Sequence, residues 1–148
     1  PLTRSDQTLE PAGNPEAYPL TLVAFETLLV ASGFYANPPF VTKLLDDDFL
    51  MRKDVFANIN PATAATAGLK EGDPVVLKTP SAQGKVLVHL TEGARPGVIF
   101  LPLGLGHLVF DPTIKGKGIN AAELIDYTED PASGLAITYL SRVRMVEA

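Results

Sequence analysis

Glycine and proline constrain the fold of this 148-residue chain more than any other feature, because 12 glycines and 13 prolines are spread along it. Glycine accepts positive φ, whereas proline fixes φ and has no N–H to donate, so both favour turns over the interior of long helices. The apolar runs between them are short. This pattern predicts many turns and short strands, and a small closed β-barrel accounts for it better than a helical bundle or an open parallel sheet.

Six short apolar runs are predicted to be strands. The first is apolar on both faces, as expected for a central strand. The cleanest run alternates, with Val86 and Val88 inward and Leu87 and His89 outward, and we interpret His89 as a solvent-facing strand residue. The predicted strands span residues 18–25, 55–59, 74–79, 85–91, 98–101 and 135–146.

Two short helices are predicted from their caps. Asn60 is an N-cap residue and Pro61 suits the first helical position, so a helix over 62–67 begins there and stops at Gly68. Asn120 caps a second short helix over 121–125 in the same way.

The stretch between the first two strands, residues 26–54, is irregular but rich in apolar side chains, which predicts packing against another part of a larger protein. A helical turn around 40–45 is interrupted by three aspartates at 46–48, which we interpret as a solvated turn. Residues 1–17 are polar and are predicted to be a linker or mobile arm.

Composition excludes several functions. The absence of cysteine excludes disulfides, thiolate metal sites and a cysteine nucleophile, and two histidines disfavour a multi-histidine metal site. A net charge of −5 disfavours nucleic acid as a partner. No apolar run is long enough for a transmembrane helix, and the start has neither Met nor the apolar core of a signal peptide. We therefore expect a processed chain or a piece of a longer one.

A long loop over 102–118 is the strongest candidate for a ligand site. It follows a buried strand directly, and its Gly104 and Gly106 allow a close approach to the backbone beside His107. From the spacing alone, both ligand binding and a plain flexible loop remain open. Lys115 and Lys117 are equally compatible with neutralising a phosphate and with a solvated surface.

Eight segments, taken in order, resemble the molybdopterin-dinucleotide-binding domain at the C-terminus of the large catalytic subunit of dimethyl-sulfoxide-reductase-type molybdenum and tungsten oxidoreductases. The resemblance covers residues 18–148 and implies a mainly β fold, a six-stranded double-psi β-barrel with short helices and long connecting loops. The segments are Tyr18–Phe25, Ile59–Leu69, Glu71–Val75, Gly84–Val86, Arg95–Ile99, Gly104–His107, Gly118–Asn120 and Asp130–Gly134.

The same resemblance implies a cofactor and its contacts. The cofactor is the bis(guanine dinucleotide) pyranopterin, molybdopterin guanine dinucleotide, with molybdenum or tungsten held by domains outside this chain. No catalytic residue and no metal ligand is implied here. The implied cofactor-binding residues are Phe25, Glu26 and Thr27 after the first strand, Gly104, Gly106 and His107 in the long loop, and Asn120, Ser133 and Gly134 beyond it.

The glycine–histidine and Gly-x-Asn segments are most similar to the branch that exchanges electrons with quinones or reduces polysulfide, tetrathionate or arsenate. The resemblance thus implies as partners the remaining domains of the catalytic subunit, an iron–sulfur subunit and a membrane quinone-linked subunit, with no nucleic acid and no direct membrane insertion. It favours a periplasmic or membrane-associated location and leaves the cytoplasm open. The isolated chain is expected to be inactive.

Two other hypotheses stand beside this one. A non-enzymatic double-psi barrel adaptor would bind a protein or peptide partner, but it needs a peptide groove and no glycine–histidine loop. A stand-alone double-psi enzyme, a decarboxylase or an aspartic-protease-like protein, would need a catalytic Asp-Thr/Ser-Gly or a processing serine, and the sequence has neither in recognisable form.

Overall fold

Strands dominate the computed structural model, which describes residues 11, 13–31, 49–109, 112, 114–126, 128–130, 133–137 and 141–148. Within these residues there is one α-helix, α1 (Pro61–Thr66), and one 3-10 turn (Ala121–Leu124). The strands are β1 (Leu20–Phe25), β2 (Leu50–Met51), β3 (Asp54–Ile59), β4 (Pro74–Lys78), β5 (Gln83–Leu90), β6 (Val98–Pro102), β7 (Thr128–Glu129), β8 (Ala136–Ile137) and β9 (Ser141–Glu147).

Six of the strands close into a barrel. Its order is β3-β5-β4-β9-β1-β6, and β6 pairs back with β3, while β2 only adds a short hairpin to β3. The pairs β1–β6 and β3–β5 are parallel, and the other four contacts of the ring are antiparallel. The first three barrel strands, β1, β3 and β4, correspond in turn to the last three, β5, β6 and β9. If each strand is exchanged for its counterpart, the strand order around the ring and the parallel or antiparallel sense of every pair stay the same. This internal two-fold pattern confirms the predicted six-stranded double-psi β-barrel.

The barrel interior is filled by aliphatic side chains from all six strands. Alternation within each strand sends one set inward, as in Val86 and Val88 of β5, which are fully buried. Leu87, which alternates with them on the outer face as predicted, is nevertheless buried, because only 7% of it is exposed. Leu87 is the register partner of Phe56 on β3, and the two large apolar side chains share the outer face of this parallel pair.

Helix α1 begins and ends as its sequence predicts. Asn60 Oδ1 accepts the N–H of Ala62 at 2.9 Å, and Asn60 Nδ2 donates to the carbonyl of Ala94 at 2.8 Å. Gly68, with φ +70°, follows the helix. The cap therefore also fastens α1 to the turn that precedes β6.

The C-terminal part departs from the predicted single strand over 135–146. Its first residues form β8, which pairs with β7 in a separate two-stranded sheet, whereas β9 enters the barrel between β4 and β1. The chain thus leaves the small sheet before it joins the barrel. The helix predicted over 121–125 is the 3-10 turn. The predicted turns at 40–45 and 46–48, and most of the predicted arm, lie outside the described residues.

The described residues contain neither a membrane-spanning helix nor a cluster of metal-ligating side chains. No helix there is long and apolar enough to cross a membrane. Nowhere in the same part of the chain do three His, Asp or Glu side chains come together in a way that could hold a metal ion.

Candidate functional site

The parallel pair β1–β6 sets the position of the candidate site. Phe25 and Pro102 end the two strands side by side, and the N–H of Leu103 donates to the carbonyl of Phe25 at 2.8 Å. Because the carboxyl ends of parallel strands meet at one edge, the loops that follow them start together. One is the turn over 26–31, and the other is the glycine loop, which we define as residues 103–109.

The glycine loop folds against the chain segment that leads to Asn120. Gly104 and Gly106 have φ of +89° and +82°, and the N–H of Gly106 donates to the carbonyl of Lys117 at 2.8 Å. A Cβ atom on Gly106 would lie only 2.1 Å from the backbone N of Asn120. Because Gly106 has no side chain, the backbone at Asn120 can pack directly against it. This contact holds Asn120 beside the glycine loop.

Gly106 and Asn120, the residues of this contact, line two cavities, which we call the loop cavities. Their volumes are about 530 Å³ and 200 Å³. Residues of the glycine loop and of the 3-10 turn line both. The shared lining residues are Gly106, Leu108, Asn120 and Glu123.

The polar side chains of the loop cavities form two local sets of hydrogen bonds. Asn120 Oδ1 accepts the N–H of Ala122 at 3.2 Å, and Asn120 Nδ2 donates to Glu123 Oε1 at 3.0 Å. In the glycine loop, His107 Nε2 donates to the carbonyl of Gly104 at 3.2 Å. The larger cavity is thus lined by an amide, an imidazole and a carboxylate beside apolar side chains.

The predicted contacts after β1 lie outside the loop cavities. Phe25 lines a different cavity of about 270 Å³, which also contains Asn58 and Phe100. Glu26 is exposed. Thr27 closes the turn, because its hydroxyl accepts the N–H of Val30 at 3.3 Å and its carbonyl accepts the N–H of Ala31 at 2.8 Å.

Ser133 and Gly134 lie in the connection between β7 and β8. Ser133 Oγ donates to Asp130 Oδ2 at 2.5 Å, and the N–H of Gly134 donates to the carbonyl of Asp130 at 2.7 Å. Neither residue lines the loop cavities. The structure thus brings Gly104, Gly106, His107 and Asn120 together, and it leaves the other predicted contacts apart from them.

Glu123 and two exposed apolar residues were missed from the sequence. Glu123 stands three residues after Asn120, which is the spacing of a helix capping box, so a local signal for the pair was present. Leu108 and Val109 are 70% and 93% exposed at the rim of the larger cavity. Nothing in their spacing distinguishes them from core residues.

His89, interpreted as a solvent-facing strand residue, is only partly so. Its Nδ1 lies 3.0 Å from Glu71 Oε1, and 23% of its side chain is exposed. Burial by itself raises the pKa of Glu71, but hydrogen bonds from the Leu90 N–H and from His89, together with the charge of His89, outweigh it and hold that pKa below its ordinary value. This pair belongs to the strands and lines none of the cavities described above.

The sequence of this chain is similar to a known domain family and to parts of larger proteins. A family model described as "Molydopterin dinucleotide binding domain" matches residues 45–137, which include the glycine loop and Asn120. The menaquinone reductase molybdopterin-binding-like subunit of Nitratidesulfovibrio vulgaris is 35% identical over 132 residues, covering 89% of this chain and 19% of that protein. The arsenate respiratory reductase molybdopterin-containing subunit of Shewanella sp. (strain ANA-3) is 32% identical over 135 residues, covering 86% and 16%.

A solved structure shares the fold. Acetylene hydratase from Pelobacter acetylenicus superposes with a TM-score of 0.70 at 19% identity, over 96% of this chain and 21% of that one. The chain therefore spans about a fifth of the length of the proteins that it matches.

Proposed function

Because this chain belongs to the molybdopterin-dinucleotide-binding domain family, we propose that it holds one part of a molybdopterin dinucleotide within a larger oxidoreductase. The observation that carries the proposal is the pair of loop cavities, where Gly106 packs on the backbone of Asn120. The family resemblance and the geometry point to the same residues there, which are Gly104, Gly106, His107 and Asn120.

The residues of the loop cavities fit the heterocyclic part of such a cofactor. Leu103, Leu105 and Leu108 provide apolar surface for a planar ring, and the Asn120 amide and the Glu123 carboxylate provide polar groups for its edge. The pyrophosphate fits less well beside Glu123, because two negative charges repel each other. When bound, the cofactor supplies the redox chemistry through its metal, while this chain positions and shields the organic part.

The finer identity of the cofactor follows the family resemblance. We assign the guanine dinucleotide form, with molybdenum or tungsten held by the remaining domains of the same subunit. Phe25, with Glu26 and Thr27, would contact the cofactor from the separate cavity that Phe25 and Phe100 line. Ser133 and Gly134 stay predictions from the resemblance.

We propose a respiratory complex as the setting of the intact protein, on the names of its relatives. One relative is a menaquinone reductase subunit and another is an arsenate respiratory reductase subunit. The name menaquinone reductase supports a quinone-linked partner. The iron–sulfur subunit, the membrane quinone-linked subunit and a periplasmic or membrane-associated location are proposed from the family resemblance. The names of the relatives also support electron transfer as the role of the complex.

The test is the exchange of Asn120 for alanine in the full-length enzyme. Asn120→Ala removes the amide from the loop cavities and is expected to lower the content of molybdenum and of bound guanine nucleotide in the purified enzyme. Asn120→Ser retains a capping oxygen for the 3-10 turn and separates loss of the cap from loss of the amide. The control is Asn14→Ala, which changes an exposed asparagine in the turn before β1. Unchanged metal and guanine content in Asn120→Ala would contradict the proposal.

A further inference from the structure

Glu123 is an exposed carboxylate that lines both loop cavities, and it is the acidic side chain among the residues that the two share. Its Oε1 accepts a hydrogen bond from Asn120 Nδ2 at 3.0 Å. A carboxylate has two oxygens with about four acceptor positions. Within the described residues, Asn120 is the one group seen donating to this side chain, so acceptor capacity remains on the cavity side.

An acceptor in this position selects ligands by the donors that they carry. A carboxylate binds best to two parallel N–H groups, as in its bidentate pairing with a guanidinium. The 2-amino-4-oxopyrimidine ring carries such a pair, a ring N–H next to an exocyclic amino group. Guanine and pterin both contain this ring, whereas xanthine has a carbonyl in place of the amino group and hypoxanthine has no substituent there.

From this geometry we infer that Glu123 binds the N–H and amino edge of a 2-amino-4-oxopyrimidine ring, with Asn120 holding the carboxylate in place. The inference rests on the proposed function and specifies which edge of the cofactor lies in the loop cavities. It also makes Glu123 a determinant of cofactor choice. A dinucleotide whose base lacks this donor pair would leave the carboxylate without its partner.

Two other occupants fit the same position less well. A phosphate is repelled by the carboxylate, and Lys115 and Lys117 line neither of the loop cavities. A metal ion needs several ligands, and the described residues contain no group of three His, Asp or Glu side chains around Glu123. The apolar walls formed by Leu105 and Leu108 instead match the face of a planar ring.

The experiment titrates the isotopically labelled chain with guanosine, inosine and xanthosine monophosphates, and with pterin and its analogue without the 2-amino group. Nuclear magnetic resonance follows the side-chain amide of Asn120 and the backbone amide of Glu123. We expect saturable shifts with guanosine monophosphate or pterin at millimolar concentration. Removal of the amino group should weaken binding roughly tenfold or more, as the loss of a hydrogen bond to a charged group does. Whichever of the two rings binds more tightly identifies the part of the cofactor at this site.

Glu123→Gln provides the second arm, because glutamine keeps the oxygen that accepts from Asn120 and replaces the other acceptor with a donor. Its affinity for the ring should fall roughly tenfold or more, and its preference for the 2-amino group should disappear. Glu16→Gln, an exposed carboxylate before β1, should bind as the wild type does. Equal binding with and without the amino group, or an unchanged affinity in Glu123→Gln, would overturn the inference.

A measurement on the full-length enzyme separates this inference from the proposed function. If the wild type retains a molybdopterin dinucleotide and Glu123→Gln retains the same amount of the same base, the proposed function stands and the role of Glu123 fails. If the wild type retains no dinucleotide, the proposed function itself fails, and the inference fails with it. A lower guanine content in Glu123→Gln alone would support both.

Discussion

At the scale of single residues, Gly106 shows how a glycine position is used within the chain itself. Its φ is +82°. A Cβ atom added to it would lie 2.1 Å from Asn120 N and 2.3 Å from the carbonyl carbon of Ile119. Both atoms are backbone atoms of an ordered segment and cannot rotate away. Gly116, with φ +71°, has the same kind of backbone but open space around the missing Cβ.

The two glycines make a matched prediction. Gly106→Ala should destabilise the chain by roughly 3 kcal/mol or more, because positive φ and a backbone clash add together. Gly116→Ala should cost only about 1 kcal/mol from the backbone conformation. Urea unfolding of both variants measures the difference. Equal losses of stability would show that the contact between Gly106 and Asn120 is absent.

At the scale of elements, the turn before β4 is fastened to the end of β5. The N–H of Gly72 donates to the carbonyl of Val88, and the N–H of Val88 donates to the carbonyl of Asp73, at 2.8 and 2.9 Å. Glu71 adds its carboxylate, which accepts the N–H of Leu90 at 2.5 Å and pairs with His89. The tight turn thus closes the edge of the barrel where β4 and β5 meet.

The lowered pKa of Glu71 predicts how this contact depends on pH. A carboxyl group whose pKa is lower in the folded state contributes stability above its unfolded pKa of 4.5, and this contribution is lost as the pH falls through the folded value. Wild type should therefore be more stable than Glu71→Gln at neutral pH by less than about 1 kcal/mol, because the group is half-exposed. Urea unfolding above and below pH 4.5 tests this.

The control for this pair is Glu92→Gln, which removes an exposed carboxylate from the next turn. It should show no comparable change between the two pH values. A stability difference between wild type and Glu71→Gln that persists well below pH 4.5 would contradict the ionic contribution of Glu71.

At the scale of the whole molecule, barrel closure explains how a chain about a fifth as long as its relatives still has a complete core. All six barrel strands have two neighbours, so their backbone groups are paired without help from another domain. The glycine loop, in contrast, carries Leu108 and Val109 exposed at the rim of a cavity. The core is finished within the chain, whereas the loop cavities remain open at this rim.

The corresponding prediction concerns activity. We expect residues 1–148 alone to fold but to show no redox turnover in a dye-linked assay, because the chain spans only 19% and 16% of the length of the two molybdopterin subunits that it matches. Fusion to, or mixing with, the remaining domains should be required for activity. The full-length enzyme serves as the positive control. Turnover by the isolated chain would contradict the assignment of catalysis to other domains.

Most of the barrel could be predicted from the sequence, whereas the candidate site could be predicted only in part. The glycine loop and Asn120 were predicted to belong to one site, and the structure places them together. Phe25, the predicted contact at the end of β1, lines a separate cavity together with Asn58 and Phe100. The face of a strand on which a side chain lies can be inferred from alternation, but the cavity that the side chain lines depends on neighbours far along the chain.

The sequence by itself determined the features that depend on neighbouring residues. Helix α1 begins at its Asn60 cap and is followed by Gly68 because these contacts span a few positions, and alternation sends Val86 and Val88 inward for the same local reason. Only the tertiary structure decided that Gly106 packs on Asn120 and that Glu123 lines both loop cavities. These contacts join segments separated along the chain, and their positions depend on how the closed barrel brings the ends of its strands together.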